Sequence, residues 1–352
     1  MSKKTIGIIG RYGTVGEQLV ELLKNQYHII ATYYSEKRKE TDVYVDINCP
    51  STMSSFVKKC DVVVNCAGPS YIVSVRLSEW MNKHSMPYID LFGGDILEKA
   101  INQLPIDVPH IINAGSQPGL SGLMVLWMAQ KFETKNSEIK IYQGGNESGG
   151  TNALLDILLS TKEGYGKSNY YIKNGKGIVD EINEDYYFKD NQHAFAQLYF
   201  TKELERILKN IPFTTIKSYM LFKDKMSKQL LMNGYGIINQ HNLSKQQKLT
   251  RIRNLMAKYQ TIGQQWFVFR MEANDNKYKY VLTIKDKNSH KLTALIAALC
   301  VEKIVNEKLR TGCYWACDIL NPNKVVERLK LENIDIEEYV EEIAGRMEEG
   351  EI

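Results

Sequence analysis

Residues 6–16 read Ile6-Gly7-Ile8-Ile9-Gly10-Arg11-Tyr12-Gly13-Thr14-Val15-Gly16: an apolar run ending at a glycine, two further glycines at three-residue intervals, and the start of a helical pattern. Glycine at the strand end permits a tight turn, the second lets backbone N–H groups approach a pyrophosphate, and the third packs helix close to strand. The helix that follows then directs the positive end of its dipole at the phosphates. The spacing G-x-x-G-x-x-G is a shifted form of the commonest dinucleotide fingerprint, and the strand–turn–helix order around it supplies the context the motif requires. Gly10, Arg11, Tyr12, Gly13, Thr14, Val15 and Gly16 are accordingly expected to bind a dinucleotide.

Outward from this turn, short apolar runs alternate with helical patterns over the first 115 or so residues, the signature of βαβ units and a parallel sheet. Strands are predicted over Thr5–Ile9, His28–Tyr33, Asp61–Asn65, Tyr88–Leu91 and His110–Asn113, with a shorter run at Val43–Asp46. An acid closing the second strand would accept a ribose 2′-hydroxyl and repel a 2′-phosphate. The chain has Ala31-Thr32-Tyr33-Tyr34-Ser35-Glu36-Lys37-Arg38 there. Ser35 can donate to a phosphate and Lys37 or Arg38 can neutralise it, with Arg11 able to join them. NADP(H) is therefore expected over NAD(H), with Glu36 as the dissenting residue. Asp46 either reaches the adenine or caps the next turn. The loop Cys66-Ala67-Gly68-Pro69 falls at the carboxyl end of the sheet, where cofactor wall is expected. Ser70 and Tyr71 face the chemistry there or start the following helix.

The full chain has 352 residues, 43% hydrophobic and 24% charged, with 8 prolines. That length favours two domains and a genuine core. Residues 1–118 with about 290–352 are read as the α/β, dinucleotide-binding Rossmann domain, and about 119–289 as an α+β substrate and dimerisation domain. In the latter, Trp266–Ala273 and Tyr278–Ile284 flank a turn-forming Asn-Asp-Asn-Lys and predict an antiparallel hairpin. The tyrosine-rich stretch Gly164–Asp190 reads as a surface loop, with a lid as the functional alternative. Glu337–Glu351 reads as a solvated helix face. Lys+Arg 45 against Asp+Glu 41 gives +4, a balance that argues against a nucleic-acid footprint. Six cysteines without a CxxC pair fit reduced thiols in a cytoplasm. Cys313 and Cys317 lie at a spacing that places them on one helix face, but nothing completes a four-ligand set, and no metal is expected. No apolar run approaches the roughly 20 residues of a membrane span.

The glycine turn, Val64-Asn65-Cys66-Ala67-Gly68-Pro69-Ser70-Tyr71, Tyr88-Ile89-Asp90-Leu91 and Asn113-Ala114-Gly115-Ser116-Gln117-Pro118-Gly119-Leu120-Ser121-Gly122-Leu123 together resemble the saccharopine dehydrogenase-like NAD(P)-dependent reductases. The resemblance covers roughly the first 125 residues and thins afterwards to Tyr142-Gln143-Gly144-Gly145 and the helical C-terminus. It implies a Rossmann domain joined to an α+β domain, C-terminal helices returning to the Rossmann side, and reversible reduction of an imine by NAD(P)H. The saccharopine-forming members carry Asp-Pro-Gly-Ile-Asp-His where this chain has Gln117-Pro118-Gly119-Leu120-Ser121-Gly122, and Cys-Gly-Gly where it has Gln143-Gly144-Gly145. With two acids and a histidine gone, saccharopine itself is not expected as substrate.

Hydride transfer to C=N needs a proton for the nitrogen and a polarised acceptor, and the cofactor carries the hard chemistry. Tyr71 is the first candidate proton donor and Asp90 the second, although each has a purely structural reading as interface packing or turn cap. Ser70, Gln117, Pro118, Gly119, Gln143 and Asn146 are expected to line the substrate cleft. The turn Gly144–Asn152 either grips a polar substrate or simply caps a helix at Thr151 or Asn152. Arg270, central in an apolar strand, can take a carboxylate bidentately or meet a structural partner. The expected protein is an NADPH-dependent imine reductase with a small amino-acid-derived substrate, in the cytoplasm and as a homodimer. A carbonyl or C=C reductase is the alternative, and a non-catalytic NADP-binding scaffold is the alternative of another class.

Overall fold

The computed structural model describes residues 3–131, 137–147, 151–181, 183–188, 193–211, 213–258, 264–275 and 277–343. The chain begins β1 (Thr5–Ile9), α1 (Thr14–Leu23), β2 (His28–Tyr33), β3 (Val43–Tyr44), α2 (Pro50–Val57), β4 (Val62–Asn65), α3 (Ser70–Lys83), β5 (Tyr88–Asp90), α4 (Gly94–Asn102), β6 (Pro109–Ile112) and α5 (Leu120–Met128). It continues with β7 (Glu138–Asn146), α6 (Thr151–Lys162), β8 (Gly166–Ser168), β9 (Tyr170–Lys173), β10 (Lys176–Val179), β11 (Asn183–Tyr187), β12 (His193–Thr201), α7 (Lys202–Leu208) and β13 (Thr215–Phe222). Next come α8 (Lys225–Ile238), α9 (Lys245–Lys258), β14 (Trp266–Asn274) and β15 (Tyr278–Asp286), and the chain closes with α10 (His290–Asn306), β16 (Gly312–Trp315), α11 (Ala316–Ile319), α12 (Pro322–Leu331) and β17 (Asp335–Glu342).

The first sheet has seven parallel strands in the order β16-β6-β5-β4-β1-β2-β3. Strands covered by helices on both faces read as unbroken apolar runs, and Val62, Val63, Val64 and Asn65 are all buried. Strand order reverses between β1, whose Ile6 pairs with Ile29 on one side and Val62 on the other, and its neighbours. A crevice opens at the carboxyl ends beside such a switch point. Helix α1, apolar through Leu19, Val20 and Leu23, packs against α10, so the C-terminal segment returns to this side.

The second sheet has ten strands, with β10-β9-β13-β7-β14-β15-β17 as its main path and β8, β11 and β12 branching at β13. Residues two apart in a strand share a face. Ile139 and Ile141 of β7 join Phe269, Met271, Leu282 and Ile284 in the core that also holds Leu123 and Leu292, so this face is turned to the first sheet. The opposite face has its own cluster, with Tyr142 stacked on Tyr219 at 4.9 Å beside Leu221 and Val268.

Several expectations change here. Gly164–Asp190 is not a plain loop: β8, β9, β10 and β11 lie in it, with β9 and β10 joined by a turn at Asn174 (φ 51°) and Gly175 (φ 69°). Asn-Gly is the favoured pair for a tight hairpin turn, a local signal the composition masked. The described part of the Glu-rich run is not a helix face, because Asp335–Glu342 pairs antiparallel with β15 along its whole length as an edge strand; residues 344–351 lie outside the described residues. That strand belongs to the second sheet, although it falls within the segment expected on the Rossmann side. Charged edge strands resist pairing with other chains, which accounts for the acids. Cys313 and Cys317 share no helix: Cys313 is in β16 and Cys317 in α11. The 266–284 hairpin forms as predicted, as β14 and β15.

Candidate active site

At the end of β1, Gly10 has φ +79°, and a Cβ there would lie 2.6 Å from the Ala67 backbone N. Gly16 is equally constrained, since its Cβ would come within 2.4 Å of the Gly10 carbonyl oxygen. The Gly13 N–H donates to that same carbonyl at 3.0 Å, closing the turn. Helix α1 starts at Gly13 with no side-chain cap, so the N–H groups of its first turn, around Thr14, Val15 and Gly16, stand open at the crevice. These residues fit a pyrophosphate: bare backbone donors, a helix dipole, and no Cβ in the way.

Arg11 and Arg38 flank the Tyr12 ring at 4.8 and 4.7 Å, and the Tyr12 hydroxyl donates to Asp42, which also accepts from the Lys39 N–H at 2.8 Å. Arg38 is thereby brought to the glycine turn. Lys37 is held in an exposed ion pair with Glu40, and Ser35 is exposed. Asp46 is two residues beyond β3, accepts from the Asn48 N–H at 2.8 Å and has its main chain bonded by Thr52, so it organises the turn before α2. These contacts are those of the capping alternative.

The loop after β4 is braced from below. The Ala67 N–H donates to Asn65 Oδ1 at 3.0 Å, Asn65 Nδ2 donates to Asp90 Oδ2 at 3.0 Å, and the Phe92 N–H donates to Asp90 Oδ1 at 3.1 Å. Tyr88 Oη also donates to Asp90. Asp90 is fully buried, and burial raises its pKa despite these donors. In this knot Asp90 braces the loops, which is the structural alternative that the sequence offered for it. Cys66 is half-buried beside Asp90, and desolvation, with the Asp90 charge adding to it, raises its thiol pKa.

Ser70 and Tyr71 are the first residues of α3, whose N-cap is Pro69. Asp156 of α6 supplies what proline lacks. It accepts from the Tyr71 N–H at 3.3 Å, while Asn152 Nδ2 donates to the Gly68 carbonyl at 2.9 Å. The Tyr71 ring packs on Phe92 at 5.3 Å, Phe92 on Tyr165 at 5.4 Å, and Tyr165 on Trp315 at 6.4 Å. Tyr71 Oη, Tyr165 Oη and Trp315 Nε1 are buried without a hydrogen-bond partner among the described residues. Burial holds the Tyr71 hydroxyl well above the usual tyrosine range, so it serves as a hydrogen-bond donor and not as an acid that ionises.

The turn Gly115–Gly119 after β6 brings Gln117 and Pro118 to the same edge, with Gly119 at φ +123°. Glu203 of α7 clamps it, accepting from the Gly119 N–H at 2.6 Å, from the Ser121 hydroxyl and from the Gly122 N–H, and burial pushes this carboxyl up to about 7. Gln117 Nε2 and Gln143 Oε1 are also buried without a partner among the described residues. Gln143 lies on the β7 face turned to the first sheet, with Ile139 and Ile141. Asn146 does not join it: its Nδ2 donates to the Gln264 carbonyl, and strand alternation assigns it to the other face. Next to it Glu147 accepts from the Ser289 N–H at the start of α10. Residues 148–150 of the expected Gly144–Asn152 grip lie outside the described residues. Arg270 is bonded to Glu272, Thr283 and Tyr339 at 2.8, 2.9 and 3.1 Å, a structural set on the face away from the cleft. Glu147, Asp156, Tyr165, Glu203 and Trp315 are the residues the sequence did not single out. Among the described residues no group of His, Cys, Asp and Glu is placed to hold a metal, and no helix is long and apolar enough to cross a membrane.

No protein-family model and no curated protein matches the chain. Solved structures do match it. Saccharopine dehydrogenase (L-Glu forming) from Saccharomyces cerevisiae superposes with a TM-score of 0.69 over 96% of this chain and 99% of the other, at 11% identity. The fold is that of the saccharopine dehydrogenase-like reductases. Homospermidine synthase from Legionella pneumophila, solved with NAD, gives 0.58 over 100% and 94% at 11% identity. The C. glutamicum DAP dehydrogenase, solved with DAP, gives 0.51 over 95% and 100% at 10% identity. At these identities the likeness establishes the two-domain architecture.

Proposed function

We propose that this chain is an NADPH-dependent reductase that delivers hydride to the C=N bond of a small, amino-acid-derived imine bound between the two sheets. One observation carries the reading. Tyr71, Gln117 and Gln143, each singled out as a site residue, each hold a buried polar atom that no described group satisfies. Leaving such an atom unpaired costs about 1–3 kcal/mol, and in a cleft the natural partner is the ligand. The substrate enters as the protonated iminium, so that hydride addition gives the neutral amine with no further proton; Tyr71 donates a hydrogen bond to the developing amine nitrogen, and Gln117 and Gln143 orient the substrate by their amides. Bound at the glycine turn, NADPH supplies the hydride. Arg11 and Arg38 are the cations for its 2′-phosphate, which favours NADPH over NADH.

The proposal includes a division at about 119 and 290, a homodimer, and a reducing compartment that keeps six free thiols reduced. The similar proteins support a nicotinamide cofactor, through the homospermidine synthase solved with NAD, and an amino-acid-derived substrate, through saccharopine dehydrogenase and the DAP dehydrogenase solved with DAP. The test is NADPH oxidation with a panel of amine and keto-acid pairs, expected to be stoichiometric with a new secondary amine. Consumption with a carbonyl or enone alone favours the alternative reductase. Tight NADPH binding with no turnover across the panel rejects the enzyme and leaves a scaffold.

A further inference from the structure

We propose that the basic helical pair α8–α9 of one copy seats on the acidic strand β17 of a second copy, with the contact made reciprocally in a two-fold dimer. The inference rests on the homodimer of the proposed function and goes further by naming its surfaces. Residues 225–258, which run through both helices, hold seven lysines and arginines and no acid, whereas Asp335–Glu342 holds five acids and no base. Within one copy these charges do not meet: α8 and α9 pack on α6 and on one another, and β17 packs on β15 and α12. Lys225, Lys245 and Arg253 are exposed and form no ion pair among the described residues, and the same holds for Asp335, Glu341 and Glu342.

Charge alone makes a weak contact, since an exposed ion pair contributes little. Each surface also has an apolar centre. Met226 and Met232 of α8 are 66% and 52% exposed, and Val340 of β17 and Ile343 just after it are 53% and 41% exposed, so four of the nine large apolar side chains left exposed among the described residues fall on these two surfaces. An apolar centre within a charged rim is the usual composition of a protein interface. Size agrees as well. Two helices of 14 residues side by side offer a face of about 20 by 20 Å, and a strand of 8 residues is about 27 Å long. Made twice, such a contact covers about 800 Å² on each copy, the area of a standard stable interface. The partner is a second copy because the complement of each surface is on the chain itself. The acids that keep a second β17 from adding to the sheet edge are the ones that attract a cationic helix pair. A two-fold axis uses both surfaces of both copies and closes the assembly at two.

Sedimentation of the full chain is the test. A dimer is expected whose dissociation constant rises roughly tenfold or more between about 0.1 M and about 1 M salt, as the screening length shrinks from about 10 to about 3 Å. Charge reversal is sharper. Lys245→Glu with Arg253→Glu sets acid against acid, Glu341→Lys with Glu342→Lys sets base against base, and each variant alone is expected to be monomeric. Mixed, the two are expected to form a one-to-one dimer, because the reversed surface of each meets the reversed surface of the other and the native surfaces meet likewise. The chain carrying all four reversals is expected to dimerise with itself again. Such rescue is a result that misfolding does not give. Variants that stay dimeric alone, or that are rescued neither by mixing nor by combination, overturn the assigned surfaces and leave the homodimer standing. A wild-type chain that is monomeric at both salt concentrations overturns the homodimer too and leaves the basic face to another anion, and a ladder of species larger than two overturns the two-fold arrangement. NADPH oxidation is measured independently of all these results, so the reductase reading stands or falls separately.

Discussion

Helices α1, α3, α5 and α10 begin near the cleft in two different ways. Helix α1 starts at a glycine with no side-chain cap. By contrast, α3, α5 and α10 are each met by a carboxyl from beyond the first sheet: Asp156 at Tyr71, Glu203 at Gly119 and Ser121, and Glu147 at Ser289. An uncapped helix N-terminus attracts anions, and a capped one does not. Three of these positive helix ends are thus met by the protein's own acids, and that of α1 is not. The same device joins the domains: in all three cases burial raises the carboxyl pKa, so each seat carries a desolvation cost that the helix N–H groups offset only in part.

The sharpest way to break this contrast is to close the open end. In Gly16→Val the new Cβ meets backbone on three sides, the Gly10 carbonyl at 2.4 Å and the Arg11 Cα and carbonyl at 2.8 Å, with no flexible side chain to yield. NADPH affinity measured by fluorescence titration is expected to fall by at least a hundredfold while the fold persists. Binding within a few-fold of wild type would show that phosphate sits elsewhere.

Opening one of the closed ends comes next. Glu203→Ala leaves two backbone N–H groups and the Ser121 hydroxyl without their acceptor in a site that is fully buried, a loss of roughly 3 kcal/mol. Denaturant unfolding is the measurement, with Glu203→Gln expected to lose less. The pH dependence has a definite sign. Because Glu203 is raised from 4.5 to about 7, its contribution is complete below 4.5 and declines as pH climbs through 7. The wild type should lose stability over that window relative to Glu203→Gln, and parallel curves would remove Glu203 as the titrating group.

A smaller effect tests the rim of the open end. Replacing Arg38 by Ala removes one of two guanidiniums beside Tyr12, and NADPH affinity is expected to drop about tenfold, the scale of one charge-assisted contact, with NADH little changed. Equal wild-type affinities for the two cofactors would remove the assignment of the rim to a 2′-phosphate.

The same contrast explains what was legible in the sequence. The open end is local: strand, three glycines and helix are contiguous, and buried parallel strands announce themselves as Val and Ile runs. The closed ends are not. Glu203 and Gly119 are 84 residues apart, Asp156 and Tyr71 85, and Glu147 and Ser289 142. In isolation each acid looks like any surface glutamate or aspartate, and only the assembled fold shows the helix it serves. Arg270 misled for the converse reason, since its partners Thr283 and Tyr339 come from neighbouring strands. The aromatic wall is likewise assembled from afar, from Tyr71, Phe92, Tyr165 and Trp315. Asn174-Gly175, in contrast, was readable locally and was hidden only by the polar composition around it.

Tyr71 carries the smallest expected effect and the most specific one. Its backbone N–H belongs to the closed end of α3, but its hydroxyl extends past Phe92 to a buried position without a partner among the described residues. Tyr71→Phe removes that oxygen and leaves the ring and the helix start in place. If the hydroxyl hydrogen-bonds the substrate nitrogen, turnover on the identified imine should fall roughly three- to tenfold, the scale of one neutral hydrogen bond. NADPH affinity should hold, and thermal stability should hold or rise, because the variant deletes a buried unsatisfied group. The direction of the stability change is the discriminating result: a substantial loss would mean that the hydroxyl already serves the folded protein, and the aromatic wall would then belong with the structural seam and not with the site.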